Sequence, residues 1–224
     1  MTRLMGKMSD EDFKGRIEGK PIGYVFDLYL CGDILPPENY IEHFEVIRNA
    51  SENDVIRFHI NSVGGDLSTA IQFTRVIQET NAQVLASAEG YCMSAATMIF
   101  LAADMFEISD HCFFMFHNYS GGTFGKGGEM YDHIVSERKW SDKLVNRVYH
   151  DFLTVEEIKS ILDNKDIWMD GDEVKIRLEN KITKETKEME NAEKALTELE
   201  SLPAEVAEET RSKPMRKKVA KKGT

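Results

Sequence analysis

The sequence predicts an α/β domain whose strands form a parallel sheet. Short runs of strand-forming residues alternate with longer segments of helical hydrophobic spacing, and glycine turns separate several of them. The chain has 224 residues, of which 42% are hydrophobic, enough for one substantial core with an appendage. The alternation predicts right-handed crossovers with helices on both faces of the sheet.

The first half of the chain supplies most of the predicted sheet. Strands are predicted at residues 21–34, 55–60, 83–88 and 112–117 from their alternating or continuously apolar patterns. Helices are predicted after Pro36, after the turn Gly64-Gly65 with Asp66 as its N-cap, and over residues 94–103. This half therefore reads as repeated strand and helix units.

The second half is predicted to be helical, with a charged end. A long helix is expected over residues 129–152, and Thr154 begins a shorter one with a capping-box pattern. No aromatic residue follows Trp168, and seven basic but no acidic residues occur from Arg211 onward. We predict an N-terminal segment at 1–20, a folded domain at 21–179, and a charged tail at 180–224, partly helical and then disordered.

Composition excludes several classes of function. The net charge of −11 argues against a general nucleic-acid binder. Cys31, Cys92 and Cys112 show neither zinc-type spacing nor a disulfide framework, which favours three buried thiols in a reducing cytoplasm. Neither a membrane-spanning run nor a signal peptide is evident, so we expect a cytoplasmic protein that does not bind membranes.

Ser94 is the strongest candidate for chemistry. It lies between a predicted strand and an apolar helix, where its hydroxyl is lifted clear of the sheet and helix-start amides can face developing negative charge. Helix capping is the ordinary role of a serine at such a position. However, Ala95 and Ala96 leave room for a substrate, and Gly64-Gly65 ends a neighbouring strand. A nucleophile beside an oxyanion hole is therefore predicted.

A serine nucleophile needs a general base and an orienting carboxylate. Of six histidines, His117 is best placed because it ends a buried strand and precedes Gly121-Gly122. A metal cofactor is not expected, since the sequence has no His-Glu-x-x-His motif and no Cys/His ligand spacing. For the carboxylate, the residues alone leave four alternatives open: Asp163, Asp166, Asp170 and Asp172. Asp166 is favoured because the apolar stretch Ile167-Trp168-Met169 follows it.

These motifs together resemble the proteolytic subunit of the Clp protease. The resemblance rests on Asn61-Ser62-x-Gly64-Gly65, Gly90-x-x-x-Ser94, His117 followed by Gly121-Gly122, and Asp166 before Trp168-Met169. It covers residues 25–169. It implies the ClpP/crotonase-like fold of repeated ββα units, with residues 129–152 as a projecting handle helix. The order Ser, His, Asp differs from that of chymotrypsin, subtilisin and the α/β-hydrolases.

The resemblance also implies roles for individual residues. Ser94 would be the nucleophile, His117 the general base and then acid, and Asp166 the residue that orients His117. The amides of Gly65 and Ala95 would form the oxyanion hole. Gly64, Gly121 and Gly122 would bind the substrate, an extended peptide that adds to the site as a strand.

Assembly and partners follow from the same resemblance. The family encloses its sites in heptameric rings that join in pairs as a tetradecamer, and an AAA+ ATPase supplies unfolded protein. This chain has no nucleotide-binding loop, so any ATP would be used by the partner. Lys165 stands where the family has an arginine that pairs across the ring interface, and Val63 stands where it usually has proline.

Two other functions are compatible with the sequence. A phage-encoded head-maturation (prohead) protease would use the same triad and join an assembling shell through the charged tail. An inactive or crotonase-like acyl-CoA relative would retain the oxyanion amides without needing His117 or Asp166.

Overall fold

The structure is a computed structural model that describes residues 22–200, except for the side chains of residues 184, 185, 188, 192 and 195–200. The chain divides into two compact units between Gly122 and Thr123. Each unit is an assembly of helices and strands, and the mixed α/β class predicted from the sequence is confirmed. The domain boundaries at residues 20 and 179 stay predictions.

The first unit alternates strands and helices, as the sequence predicts. In chain order its elements are β1 (Val25–Ile34), a 3-10 turn (Pro37–Tyr40), α1 (Ile41–Asn49), β2 (Val55–Gly65), α2 (Leu67–Glu79), β3 (Gln83–Met93), α3 (Ala95–Leu101), β4 (Met105–Ile108) and β5 (Phe113–Phe116). Asp66 caps α2 as predicted, because its Oδ1 accepts a hydrogen bond of 2.8 Å from the amide of Thr69.

The strands of this unit pair in parallel, with β2 between β1 and β3. On its other edge β3 pairs with β4 along its first half, from Leu85 to Ala88, and with β5 along its second half, from Tyr91 to Met93. The end of β3 is therefore flanked by the end of β2 on one side and by β5 on the other. Parallel pairing brings the carboxyl ends of these strands to the same edge of the sheet.

One face of this sheet is closely packed, and the other is more exposed along β1 and β2. Along β2, Ile56, Phe58 and Ile60 are fully buried, whereas the residues between them are half-buried. The expectation of helices on both faces of the sheet stays a prediction. β3 is buried on both faces from Val84 to Ala88, whereas along β2 polar residues such as Arg57 and His59 alternate with the apolar ones. The same alternation exposes Cys31 on β1, so only Cys92 and Cys112 are buried thiols.

Several elements differ from the sequence prediction. β2 continues past Ile60 to Gly65, and β3 continues past Ala88 to Met93. β4 was not predicted at all. The alternation of burial continues through Ser62 and Gly64, so a period-two pattern that included small and polar residues could have found the longer β2. Because of the two extensions, Gly64-Gly65 lies at the end of β2 and Ser94 directly follows the end of β3.

The second unit consists of α4 (Gly127–Tyr149), α5 (Val155–Leu162), β6 (Ile167–Asp170) and α6 (Gly171–Glu200). The predicted capping box is present, since Thr154 and Glu157 each bond the other's backbone amide. Arg177 of α6 donates two hydrogen bonds, of 2.8 and 2.7 Å, to the carboxylate of Glu157. This bidentate pair fastens α6 to the start of α5.

The predicted tail begins inside a helix. α6 runs without interruption from Gly171 to Glu200, across the predicted boundary at residue 180. Val174 and Leu178 in its first part are buried, whereas Ile182 and Met189 further along are exposed. Residues 201–224, which include the basic end predicted to be disordered, lie outside the described residues, as does the predicted N-terminal segment. Among the described helices, none is long and apolar enough to cross a membrane.

Candidate active site

Ser94 lies in a sharp turn between β3 and α3. Its backbone has φ 53° and ψ −125°, a conformation that residues with a side chain seldom adopt. The amide of Ser94 donates to the carbonyl oxygen of Met115 at 2.8 Å. Its own carbonyl oxygen accepts from the amide of Thr97 at 3.0 Å and from the Thr97 hydroxyl at 2.7 Å. These bonds hold the turn in place against its strain.

The side chain of Ser94 does not cap the helix that follows. Its Oγ lies 2.6 Å from Nε2 of His117. This is the distance of a short hydrogen bond, and an unprotonated Nε2 would accept the hydroxyl proton. The contact favours the role of nucleophile over that of helix cap, because a capping hydroxyl would instead accept hydrogen bonds from the amides of the first helical turn.

His117 is positioned by β5. That strand pairs with the last residues of β3, from Tyr91 to Met93, and ends at Phe116. Phe114 and Phe116 are buried at 0% and 1% exposure, which anchors the strand on the packed face. His117 follows at once and is half-buried. The pairing of β3 with β5 therefore brings together the two residues that the sequence separates by 23 positions.

Gly64 packs directly against the Ser94 turn. A Cβ atom on Gly64 would lie 2.7 Å from the Cβ of Ser94, 2.8 Å from the carbonyl oxygen of Met93 and 3.1 Å from the amide nitrogen of Ala95. Its φ of 97° also favours glycine. The amide of Gly64 donates to Oγ of Ser62 at 3.1 Å, and that hydroxyl donates to the carbonyl oxygen of Gly32 at 2.6 Å. The end of β2 is thus held close to the first amide of α3.

The two predicted oxyanion residues, Gly65 and Ala95, flank this contact. Gly65 ends β2 beside Ile34, and a Cβ there would overlap the Ile34 carbonyl oxygen, which accepts a 2.8 Å bond from Asp66. Ala95 is the first residue of α3 and is 4% exposed. Backbone amides at these positions have the chemistry to stabilise an oxyanion. Their oxyanion role stays a prediction.

The remaining predicted residues lie further along the chain. Gly121 and Gly122 are exposed at the end of the first unit, and a Cβ on Gly122 would meet nothing within 4 Å. Asp166 lies in the second unit, is exposed, and immediately precedes β6. Its proposed function of orienting His117 stays a prediction, as does substrate binding by the glycines.

Two of the alternative carboxylates have local structural roles. Asp170 accepts a 2.9 Å bond from the amide of Glu173 at the start of α6. Asp172 forms an ion pair with Lys175 at 3.6 Å. Which carboxylate orients His117 stays a prediction, with Asp166 the favoured residue.

Sequence reasoning missed the residues that support the turn. Ser62 and Thr97 are 1% and 0% exposed and bond the backbone on either side of the site. Thr97 has a signal in the sequence, since it is a hydroxyl within the otherwise apolar segment of residues 95–101 and a buried hydroxyl must find a hydrogen-bond partner. Within the described part of the chain, no three histidine, cysteine or acidic residues form a group that could hold a metal ion.

Comparison with models of protein families identifies the family of the chain. A family model described as Clp protease matches residues 38–185. This range contains Gly64, Ser94, His117 and Asp166 and extends into α6. No curated protein matches the sequence.

Proposed function

The chain belongs to the Clp protease family, a family of peptidases, and from this premise we propose that it is a serine endopeptidase that uses Ser94, His117 and Asp166. The observation that carries the proposal is the 2.6 Å contact between Ser94 Oγ and His117 Nε2 at a strained turn between a strand and a helix. A positioned base beside a hydroxyl activates it as a nucleophile.

The reaction follows the general course of acyl transfer by a serine enzyme. Ser94 Oγ attacks the peptide carbonyl carbon while His117 Nε2 takes the hydroxyl proton. The amides of Gly65 and Ala95 receive the negative charge that forms on the carbonyl oxygen. His117 then gives its proton to the leaving amine, and water releases the acyl group by the same steps. In this proposal the carboxylate of Asp166 accepts a hydrogen bond from Nδ1–H of His117, which stays protonated there, and so holds the ring in the required tautomer.

The substrate is proposed to be an extended, unfolded polypeptide. Gly121 and Gly122 are exposed and have open space where side chains would be, which suits backbone pairing with little side-chain selection. Family membership supports assembly into heptameric rings, singly or as a tetradecamer, and supply of substrate by an AAA+ ATPase in the cytoplasm. The ring, the ATPase and the location are parts of the proposal.

The contact between Ser94 and His117 also bears on the two alternative functions, an inactive or crotonase-like relative and a prohead protease. An inactive or crotonase-like relative has no need of an imidazole within hydrogen-bond distance of Ser94, so the 2.6 Å separation favours the peptidase. A prohead protease would use the same chemistry on a different substrate. Its distinguishing feature is the tail, because deletion of residues 180–224 would then abolish assembly with the shell.

The test is hydrolysis of an unfolded, fluorescently labelled protein. Ser94→Ala and His117→Ala are each expected to lower kcat by at least about a thousandfold, the scale found when a triad member is removed. Asp166→Asn is expected to lower it by about ten-thousandfold if Asp166 sets the tautomer. Ser136→Ala and His133→Ala, on exposed positions of α4, are the matched controls. Unchanged hydrolysis in Ser94→Ala would refute the proposal.

A further inference from the structure

An open groove of about 360 Å³ lies between β1, α1 and the loop that precedes β2. Its apolar lining comes from Phe26, Val46 and Ala50, and its acidic lining from Glu42, Glu45 and Asp54. None of these residues belongs to the candidate active site. A ligand that fits the groove would combine an apolar group with positive charge.

Two of the three carboxylates are available to such a ligand. Glu42 and Glu45 are exposed on α1, and within residues 22–200 no cation pairs with either of them. Asp54 is already engaged, because its Oδ1 accepts from the amide of Tyr24 and its Oδ2 from the amide and hydroxyl of Ser51, at 2.7–2.8 Å. The side open to a new cation is therefore the α1 side.

The described chain begins next to this groove. Tyr24 is tied to Asp54 by the 2.8 Å bond from its amide, and its carbonyl oxygen accepts from the amide of Val55 at 2.8 Å. Gly23 lies so close to the carbonyl group of Asn53 that a Cβ would overlap it. Gly23 and Tyr24, near the start of the described residues, therefore lie beside Asp54 of the groove lining.

The sequence just before this point has the matching chemistry. Residues 14–20 read Lys-Gly-Arg-Ile-Glu-Gly-Lys, with Ile17 next to Arg16 and glycines on both sides. Three cations against one acid complement the carboxylates of α1. Ile22 lies six positions after Arg16, and an extended chain of that length spans about 20 Å. The segment can thus reach a groove of this size from where the chain begins.

We propose that residues 14–20 of this chain bind in the groove, with Ile17 against Phe26 and Val46 and with Arg16 paired to Glu42 and Glu45. The segment then covers one side of α1. The groove is a docking site that the protein occupies with its own N-terminal segment, and an external peptide with the same pairing of apolar and basic residues would have to displace that segment to bind.

Limited proteolysis of the full-length chain tests the proposal. Ser94→Ala serves as the background, so that self-cleavage plays no part and the result does not depend on the proposed function. A protease of broad specificity is added, and cleavage between residues 1 and 21 is followed by intact mass. Glu42→Lys with Glu45→Lys is expected to accelerate this cleavage roughly fivefold, the scale of two exposed ion pairs lost. Adding Arg16→Glu is expected to restore the slow rate.

Glu38→Lys with Glu107→Lys is the matched control, because it makes the same charge change at exposed positions outside the groove. Its cleavage rate should equal that of the background chain. Equal rates for the groove variant and the background chain would overturn the proposal. So would protection that falls on dilution, because the groove would then be filled by a second copy.

Discussion

At the scale of single residues, the turn at Ser94 sets the geometry of the candidate active site. Ser94, with φ of 53°, is held by the hydrogen bond that its amide donates to Met115 and by those that its carbonyl oxygen accepts from Thr97, and Gly64 leaves just enough room beside it. The sequence predicted Ser94 and His117 from a strand-to-helix junction and a strand end. It could not predict the backbone conformation or the 2.6 Å contact, because both depend on which strands pair.

Gly64→Ala tests the packing of this turn. The added Cβ would meet the Cβ of Ser94 and the carbonyl of Met93 inside 3 Å, at a φ that disfavours alanine. We expect a loss of about 1–3 kcal/mol in the free energy of unfolding. Because the displaced atoms carry the nucleophile, kcat should fall by at least about a hundredfold. Urea denaturation and peptide hydrolysis measure the two effects.

Gly127→Ala is the control for the stability measurement. It lies at the start of α4, where a Cβ would meet nothing within 4 Å. Alanine there should leave the free energy of unfolding unchanged or raise it by up to about 1 kcal/mol. If Gly64→Ala were no more destabilising than Gly127→Ala, the close packing of β2 against the Ser94 turn would be wrong.

At the scale of elements, His59 joins the three strands that lead to the site. From β2, its Nδ1 contacts Glu89 of β3 at 2.5 Å and its Nε2 contacts Asp27 of β1 at 3.1 Å. The Glu89 hydrogen bond is the main cause that raises the pKa of His59, with Asp27 adding to it and partial burial opposing it. Arg57 adds a weaker contact of 3.8 Å to Asp27. A protonated imidazole can donate to both carboxylates, whereas a neutral one can donate to one.

The contribution of His59 to stability should depend on pH. Since its folded-state pKa is raised, the contribution is fully present below about pH 6.5, the ordinary value for histidine, and is lost as pH rises through the folded-state pKa. His59→Gln should therefore destabilise the protein more at about pH 6 than at about pH 9, where wild type and variant converge. Urea denaturation at the two pH values measures this. His150→Gln, on an exposed position outside the sheet, is the control.

A difference between wild type and His59→Gln that stays constant across that range would show that the charge of His59 does not hold the strands.

The pairing of Glu157 with Arg177 makes a second test at this scale. The Arg177 hydrogen bonds lower the pKa of Glu157 from 4.5 to about 2, so the stabilisation is present above about pH 4.5 and is lost as the pH falls toward 2. Arg177→Met should cost about 1–2 kcal/mol at neutral pH, with the difference from wild type vanishing near pH 2. The free energy of unfolding of the two proteins is measured by urea denaturation at each pH, followed by the circular dichroism signal of the helices.

Glu173→Gln is the matched control, because it removes the other carboxylate that Arg177 contacts, at 2.7 Å, and leaves Glu157 in place. The Glu173 side chain is 47% exposed, so a cost below about 0.5 kcal/mol is expected. Equal costs for the two variants would mean that the pair with Glu157 does not fasten α6.

The elements also show what sequence patterns can predict. Asp66 and the Thr154 capping box were predictable because caps depend on local residue order. β4 and the length of α6 were not. β4 is a four-residue strand that exists through its pairing with β3, and α6 continues through a segment whose charge resembles that of a solvated tail. Strand pairing and the full length of a helix cannot be predicted from the residue pattern of a short stretch of sequence.

At the scale of the whole molecule, the family match spans both compact units, from residue 38 to residue 185. We predict that the protein assembles into rings of seven copies, singly or in pairs, as proposed from its family. Native mass spectrometry at micromolar concentration measures the assembly. Lys165 lacks the bidentate geometry of an arginine, so Lys165→Arg should shift the distribution toward paired rings. A monomer at all concentrations would contradict this part of the account.

The central claim is that Ser94 is a nucleophile activated by His117. The most direct measurement is reaction of the folded protein with a fluorophosphonate, followed by mass mapping of the adduct. The account predicts one adduct, on Ser94, whose formation is abolished in Ser94→Ala and at least about a hundredfold slower in His117→Ala. A folded, assembled protein that forms no adduct on Ser94, or that labels equally fast without His117, would contradict it.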